Sequence, residues 1–482
     1  MMMMMKRITL IIAILLLQVT ISLSSYDTVK KSTSQGVLRS SAESREKTSH
    51  QVWRCVGEED VLQRIRDGAH SVWRSRERDQ IDVELSPLQQ AKFVRFMDSR
   101  TCVTKIANLD RAVSEDPSRA MRFQGIPPSR EALEQYEKRL ERESSKDFLD
   151  HYHSVEEIHN WMEKIQKENP KKIRLVESEH TSVEGRKILA ARICASEDSS
   201  ACESMGKIYI QGLLHAREWI GGAAVIFVIS EMMKLSPNSP LLDFEIVAVP
   251  VVNPDGYEFT RLKSGGDRTW RKNRRKNLGG EYGVDLNRNF PVPHSWGHGD
   301  SGEGNIMTGT SDEESAETYR GPKSFSEPET RAVRDFVLAL GPPDKRLLGI
   351  DVHSYGQTVL RPYGYQVPND GMPEDENEQK RLGDAAAEVM SGYKSEHAGE
   401  GGFVGAGGCD DWMHDFGSMY SFTIELRPTQ DSGTGFLLPE HEIRPTGEEL
   451  FAGLEAMATI LKSMGYDSKE DNVATEMGVV EK

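Results

Sequence analysis

The 482-residue chain has little of several things, and each shortage excludes a class of function. Positive charge is in deficit: 60 Lys and Arg stand against 76 Asp and Glu, a net charge of -16. A surface of that sign does not attract phosphate backbones, so nucleic acid is not expected as a partner. Apolar runs long enough to cross a bilayer are missing beyond the N-terminus, where roughly 20 residues would be needed. Cysteine is sparse, with five residues. There is no Asn-x-Ser/Thr sequon, so N-linked glycosylation is not expected, and no internal repeat. At about 150 residues per domain, the length allows one large domain and a smaller module.

Residues 1–24 read as a secretory signal: Lys6 and Arg7 give the positive start, Ile8 to Leu17 the apolar core, and Ser22-Leu23-Ser24 a small-residue cleavage pattern. A membrane anchor is the alternative, but the run is shorter than a bilayer requires and polar sequence follows it. Export implies an extracellular destination, or the lumen of the secretory or vacuolar pathway, and an oxidising compartment for the cysteines. Cys194 and Cys202 flank a short polar loop between two apolar runs, which suits a bridge closing a hairpin. Cys409 is the odd one left.

Residues 25–50 form a polar leader. From 51 to 118 short apolar strands and helices follow in the order βαββαβ, an α+β split-βαβ module with both helices on one face. That order makes the first and last strands neighbours and would bring Cys55 to Cys102. Residues 119–146 form a charged connector helix opened by Pro127-Pro128-Ser129. Its Arg122, Arg130, Lys138, Arg139 and Arg142 suit a trypsin-like activating protease, a plain solvated linker being the alternative. The large domain, 147–466, opens on a capping box, Ser154-Val-Glu-Glu157. Apolar strand-like runs then alternate with helical patterns, which implies an α/β fold, a mixed central sheet with helices on both faces. Residues 467–482 lack periodicity and read as a disordered tail.

His215 and Glu218 lie three residues apart just past the apolar strand Ile208 to Ile210, and His353 ends another, Leu347 to Val352. Strand ends are where ligands bind in open sheets. Two imidazoles and a carboxylate leave a fourth zinc position open, as catalytic zinc requires. The spacing alone is weak, but the surroundings are specific. His215-Ala-Arg-Glu218-Trp-Ile, Asn253-Pro-Asp-Gly-Tyr257, Trp270-Arg271-Lys272-Asn273-Arg274, Val284-Asp-Leu-Asn287-Arg288-Asn289, His353-Ser354-Tyr355 and Phe422-Thr-Ile-Glu425-Leu-Arg427 occur in this order. The chain thereby resembles the zinc metallocarboxypeptidases of the pancreatic A and B type, from about Gln51 to Met464.

The resemblance implies a carboxypeptidase-like catalytic domain behind an activation prodomain (51–118), and a reaction that hydrolyses the last peptide bond of peptide and protein C-termini. Carboxypeptidase A is itself a standard instance of the two-His, one-Glu site, so His215, Glu218 and His353 as ligands of one zinc ion are carried over from the family. Glu425 matches the general base, a buried pair with Arg427 being the alternative. Arg271 matches the electrophile that stabilises the oxyanion, against the reading of a surface charge in a basic run. Arg288 and Asn287 match the residues that bind the terminal carboxylate. Arg217 matches a residue that binds further along the peptide, and Tyr355 a subsite residue, although packing would also explain a Tyr there.

Two positions bear on specificity. Where the family places a mobile Tyr, this chain carries Phe403, which loses a hydroxyl worth about 0.5–1.5 kcal/mol of hydrogen bonding. Asp410 falls where B-type enzymes place an Asp at the base of the side-chain pocket, favouring C-terminal Lys or Arg; an A-type preference for apolar residues is the alternative. Asp411 reads as structural, and Cys409 as a buried, inert thiol near the pocket. The competing class is a secreted family member that has lost activity and binds peptides. An amidase acting on unusual peptides is a third.

Overall fold

The computed structural model describes residues 49–114 and 147–466, apart from gaps at 58, 78–79, 94–101, 108, 197–198, 293–308, 366–371 and 400–404. The expected signal, most of the leader, the connector helix, the tail and Phe403 lie outside the described residues.

The N-terminal module contains β1 (Gln51–Val56), α1 (Glu59–Gly68), β2 (Ser71–Glu77), β3 (Gln80–Leu85), α2 (Pro87–Phe93) and β4 (Cys102–Ile106), followed by α3 (Leu109–Ser114). Its sheet has the antiparallel order β2-β3-β1-β4. Strand residues alternate between faces, and here both faces are covered. Ile81, Val83 and Leu85 of β3 join Leu62 and Ile65 of α1 in one apolar cluster. The intervening Asp82 and Glu84 are also buried, on the opposite face. There Val52, Trp73 and Leu109 cluster with Tyr355 and Phe436 of the large domain. Cys55 and Cys102 stand directly opposite in the β1–β4 register and are bonded.

The large domain contains α4 (Val155–Glu168), β5 (Ile173–Glu177), β6 (Leu189–Ile193), α5 (Ser199–Ser204), β7 (Gly206–Gly212), α6 (Trp219–Met232), β8 (Phe244–Val249) and α7 (Pro254–Arg261). Next come α8 (Pro328–Leu338), β9 (Arg346–Gly356), β10 (Thr358–Arg361), α9 (Glu376–Val389), β11 (Lys394–His397), α10 (Cys409–Asp415), β12 (Tyr420–Thr429) and α11 (Ile443–Ser463). The sheet order is β11-β10-β12-β9-β7-β8-β6-β5. Pairing is parallel along β12-β9-β7-β8 and between β10 and β11, and antiparallel elsewhere.

The period of two sorts the strand residues onto two cores. Ile208, Ile210, Ile246 and Ala248 pack with α4, α6, α9 and α11. Their neighbours Tyr209, Val247 and Val249 pack with α8 and α10. Helices therefore cover both faces, as the alternating sequence implies. The capping box at Ser154 and Glu157 forms with both of its hydrogen bonds.

Cys194 and Cys202 are bonded, but they do not close a hairpin. β8 lies between β6 and β7, so the bridge ties a crossover that carries α5. Strands consecutive in sequence were separated because β8 pairs with both, in opposite senses. Among the described residues no helix is long and apolar enough to cross a membrane.

Candidate metal centre and cleft

β7 stops at Gly212, where a Cβ would sit 2.8 Å from the carbonyl oxygen of Gly221. A glycine there lets the strand end abut the start of α6, and the loop between them carries His215 and Glu218. Leu213 takes a positive φ of 54° as the chain turns. Gly212 is in register with Val352 of β9, so His353 lies just beyond the end of β7. Glu425 of β12 is in register with His353 on its other side. Three residues far apart in sequence are thus drawn together by parallel pairing.

Glu218 spans the two imidazoles: Oε1 is 2.9 Å from Nδ1 of His215 and Oε2 is 2.9 Å from Nδ1 of His353. The outer nitrogens face carboxylates. Nε2 of His215 is 3.2 Å from Oδ1 of Asp285, and Nε2 of His353 is 2.8 Å from Oδ2 of Asp351. This is the pattern in which carboxylates fix the tautomer and orientation of metal-binding histidines. Burial opposes the charge on Glu218, yet His215 and His353 outweigh it and hold the carboxyl below its ordinary range. Two inward imidazole nitrogens and an anionic carboxylate, all buried, fit a zinc ion.

Arg271 is not a surface charge. Its side chain is 13% exposed, and its Nε and Nη2 donate to Oδ2 of Asp285 at 3.0 and 2.9 Å. Burial opposes charge on Asp285 too, but Arg271 and His215 keep its carboxyl well below the usual range. Glu425 is buried and lines the same cleft. Its alternative pairing with Arg427 is absent, because Arg427 instead donates to Glu449 at 2.9 Å and Glu442 at 2.7 Å.

The walls of the cleft include Arg271, Asn287, Arg288, Asp410 and Glu425. Asn287 accepts the backbone N–H of Cys409 at 2.8 Å, and Arg288 donates to the Asn287 carbonyl at 2.6 Å. Gly407, at φ +90°, passes so close that a Cβ would lie 2.3 Å from the Arg288 carbonyl oxygen. Asp410 accepts from the Thr423 hydroxyl at 3.0 Å. Burial, then the charge of Asp351, raises its carboxyl above the ordinary range. Asp411 does more than brace the loop. It also lines the cleft, and although Oδ1 accepts from Gly364 N at 2.9 Å, its buried Oδ2 has no hydrogen-bond partner among the described residues. Cys409 is buried 3.3 Å from Nε2 of Gln211, and burial pushes its thiol well up, which suits an inert thiol.

Arg217 is engaged by the N-terminal module and by Glu317. Its Nη1 donates to the Ser71 hydroxyl at 3.0 Å and to Glu317 at 3.0 Å, and its Nη2 to the Val72 carbonyl at 3.2 Å. Ser71 and Val72 belong to β2 of the N-terminal module. The next residue, Trp73, lines the cleft itself and packs at a tilt of 54° on Phe436, ring centroids 5.2 Å apart. Tyr355 is buried beneath the same cluster, 5.0 Å from Phe436. At the rim, Arg54 donates to Asp431 at 2.6 Å and the Gln430 carbonyl at 2.7 Å, and Lys105 donates to that carbonyl at 3.0 Å.

Sequence reasoning missed Trp73, Asp285 and Asp351. Asp351 had a signal: it precedes His353 by two in a strand and so shares its face. Asp285 stood inside a quoted motif with no role attached. Nothing in the sequence marks Trp73 as more than a strand aromatic.

Residues 158–453 match the zinc carboxypeptidase family. The chain is 32% identical over 321 residues to carboxypeptidase B of Astacus astacus, covering 64% of this chain and 97% of that protein. It is equally 32% identical, over 326 residues, to carboxypeptidase A2 of Rattus norvegicus, covering 65% of this chain and 71% of the relative. The crystal structure of carboxypeptidase A from Helicoverpa armigera superposes with a TM-score of 0.69 at 25% identity, covering 86% of this chain and 98% of that one.

Proposed function

Because the chain belongs to the zinc carboxypeptidase family and is a metallocarboxypeptidase, we propose that it is a secreted zymogen whose single zinc ion is held by His215, Glu218 and His353. The observation that carries this reading is the meeting of those three side chains beside Glu425, one strand over and in register with His353.

A zinc ion bound there supplies Lewis acidity, polarising a carbonyl and lowering the pKa of a water. The chain's own groups do the rest. Glu425 takes the water's proton on its carboxylate and returns it to the departing amine. Arg271, fixed by Asp285, presents its guanidinium to the developing oxyanion. Asn287 and Arg288 bind the terminal carboxylate of a peptide or protein C-terminus.

The preference we infer is for C-terminal Lys or Arg. Similarity does not discriminate, since relatives named B and A2 are equally identical to this chain at 32%. The pocket supports the basic choice. Asp410 and Asp411 are both buried there with raised carboxyls. An incoming cation relieves the cost of holding them ionised, whereas an apolar side chain does not.

Latency is steric. Trp73 occupies the cleft wall and β2 takes hydrogen bonds from Arg217, so a peptide cannot use either place while the module is docked. A trypsin-like protease acting in 119–146 would free the module. The test is to treat purified precursor with trypsin and assay release of C-terminal Arg, Lys, Phe and Leu, with and without a zinc chelator. Chelator-sensitive release of Arg and Lys is expected. No release after proven loss of the module would refute the enzyme reading, and preferential Phe release would refute the role of Asp410.

A further inference from the structure

Among the described residues two groups of side chains have metal-ligating atoms close enough to share one ion. One is the catalytic set. The other, His50, His70 and Glu84, lies within the N-terminal module. We propose that these three residues form a second transition-metal site of zinc type, and that its ion braces Trp73 in the cleft.

The backbone fixes all three positions. Glu84 of β3 is in register with Val52 on one side and Ser71 on the other. His70 donates its backbone N–H to the Glu84 carbonyl at 2.9 Å, and the His50 carbonyl accepts from Leu109 N at 2.8 Å. From there, Nδ1 of His50 reaches within 2.8 Å of Oε1 of Glu84, and Nε2 of His70 within 3.9 Å of the same oxygen. Tetrahedral zinc bonds of about 2.1 Å place ligand atoms roughly 3.4 Å apart, and the two distances bracket that value. The imidazole centroids are 4.7 Å apart, against 4.5 Å in the catalytic pair.

Charge gives the stronger reason. The Glu84 side chain is 3% exposed. Its partners among the described residues are His50, His70 and the Trp73 indole, with neither Lys nor Arg. A buried carboxylate is costly to leave unpaired, and a divalent cation shared with the two imidazoles compensates it. Two imidazoles and one carboxylate suit zinc or copper and are poor for calcium or magnesium, which take oxygen ligands. The His70 side chain, 45% exposed, leaves the site open to solvent for ion entry and for a completing water.

An ion on Oε1 leaves Oε2 to accept the Trp73 indole N–H, now at 3.1 Å. It therefore stiffens the strand pair that places Trp73 in the cleft; this part rests on the reading of the module as a plug.

Full-length precursor should be dialysed to equilibrium against buffered zinc and its metal content measured by mass spectrometry. About two ions per chain are expected in the parent, and about one in His70→Ala, in His50→Gln and in trypsin-treated enzyme freed of the module. Glu218→Ala should also retain about one, held by the module. A single ion in the parent, or two in both histidine variants, overturns the site. Because both histidines are partly exposed, circular dichroism should show the variants folded. If His70→Ala loses the ion but its uncut activity does not rise, the link to Trp73 is overturned while the site stands. If uncut parent is as active as cut enzyme, it is the plug reading that fails.

Discussion

On the proposed latency, replacing Trp73 by Ala should wake the uncut chain without changing the trypsin-treated, mature enzyme. Trp73 is 5% exposed, and an aromatic side chain buries about 150–250 Å². Taking half of that as contact with Tyr355 and Phe436 gives about 100 Å² lost from the docked interface, or about 2.5 kcal/mol at 25 cal/mol per Å². With every 1.4 kcal/mol worth tenfold, the undocked population should grow roughly 60-fold. The module should still fold, because Trp73 is not among the residues of its internal core around Leu62 and Val83. The assay is hydrolysis of a short peptide with a C-terminal Arg by uncut and trypsin-treated forms of both proteins. The rate of the uncut variant should rise by up to roughly 60-fold over that of the uncut parent, and the two mature forms should match. Trp73→Phe, which keeps most of the ring, should fall between. An uncut variant as silent as the parent would mean that Trp73 does not hold the cleft closed, and the argument from its burial would be wrong.

Asp285→Asn removes the charge that orients both His215 and Arg271, and zinc affinity measured by chelator competition should fall about 10–100-fold. Glu425→Gln should lower kcat by about 10²–10⁴-fold while the bound zinc stays the same; an active variant would exclude Glu425 as the base. Stability should fall in alkaline solution through His414. Burial alone would lower its pKa, but hydrogen bonds to Asp375 and Asp415 raise it to about 9 from 6.5. Its contribution is therefore complete below pH 6.5 and lost as pH rises through 9, on the order of 2–3 kcal/mol. His414→Gln should flatten the pH dependence of the urea midpoint over that window, and an unchanged slope would refute it.

What could be read from the sequence follows from how local each signal is. The capping box at Ser154 needs four consecutive residues, and it formed. His215 and Glu218 share one turn, and the strand before His353 is a mostly apolar run interrupted by Asp351, so both stood out. Strand order did not. Nothing near Cys194 or Cys202 tells that Phe244–Val249 will come between their strands. β10 and β11 have four residues each, too few to establish a period. Arg217 matches a peptide-binding position because a motif holds it, but the partners that occupy it in this structure, Ser71 and Val72, are about 145 residues away and no local signal names them. Asp285 was invisible as a brace for the same reason: its value lies in touching two groups that the chain order keeps apart.

On the proposed zymogen reading, the Cys55–Cys102 bond bears on what would follow proteolysis. It staples the two strands that carry Arg54 and Lys105, the residues gripping the rim at Gln430 and Asp431. Under the proposed processing, severing the connector would leave that grip intact and the clipped fragment still shaped to fit. Its release would then be governed by dilution, the fragment staying seated at high concentration and departing in a large volume.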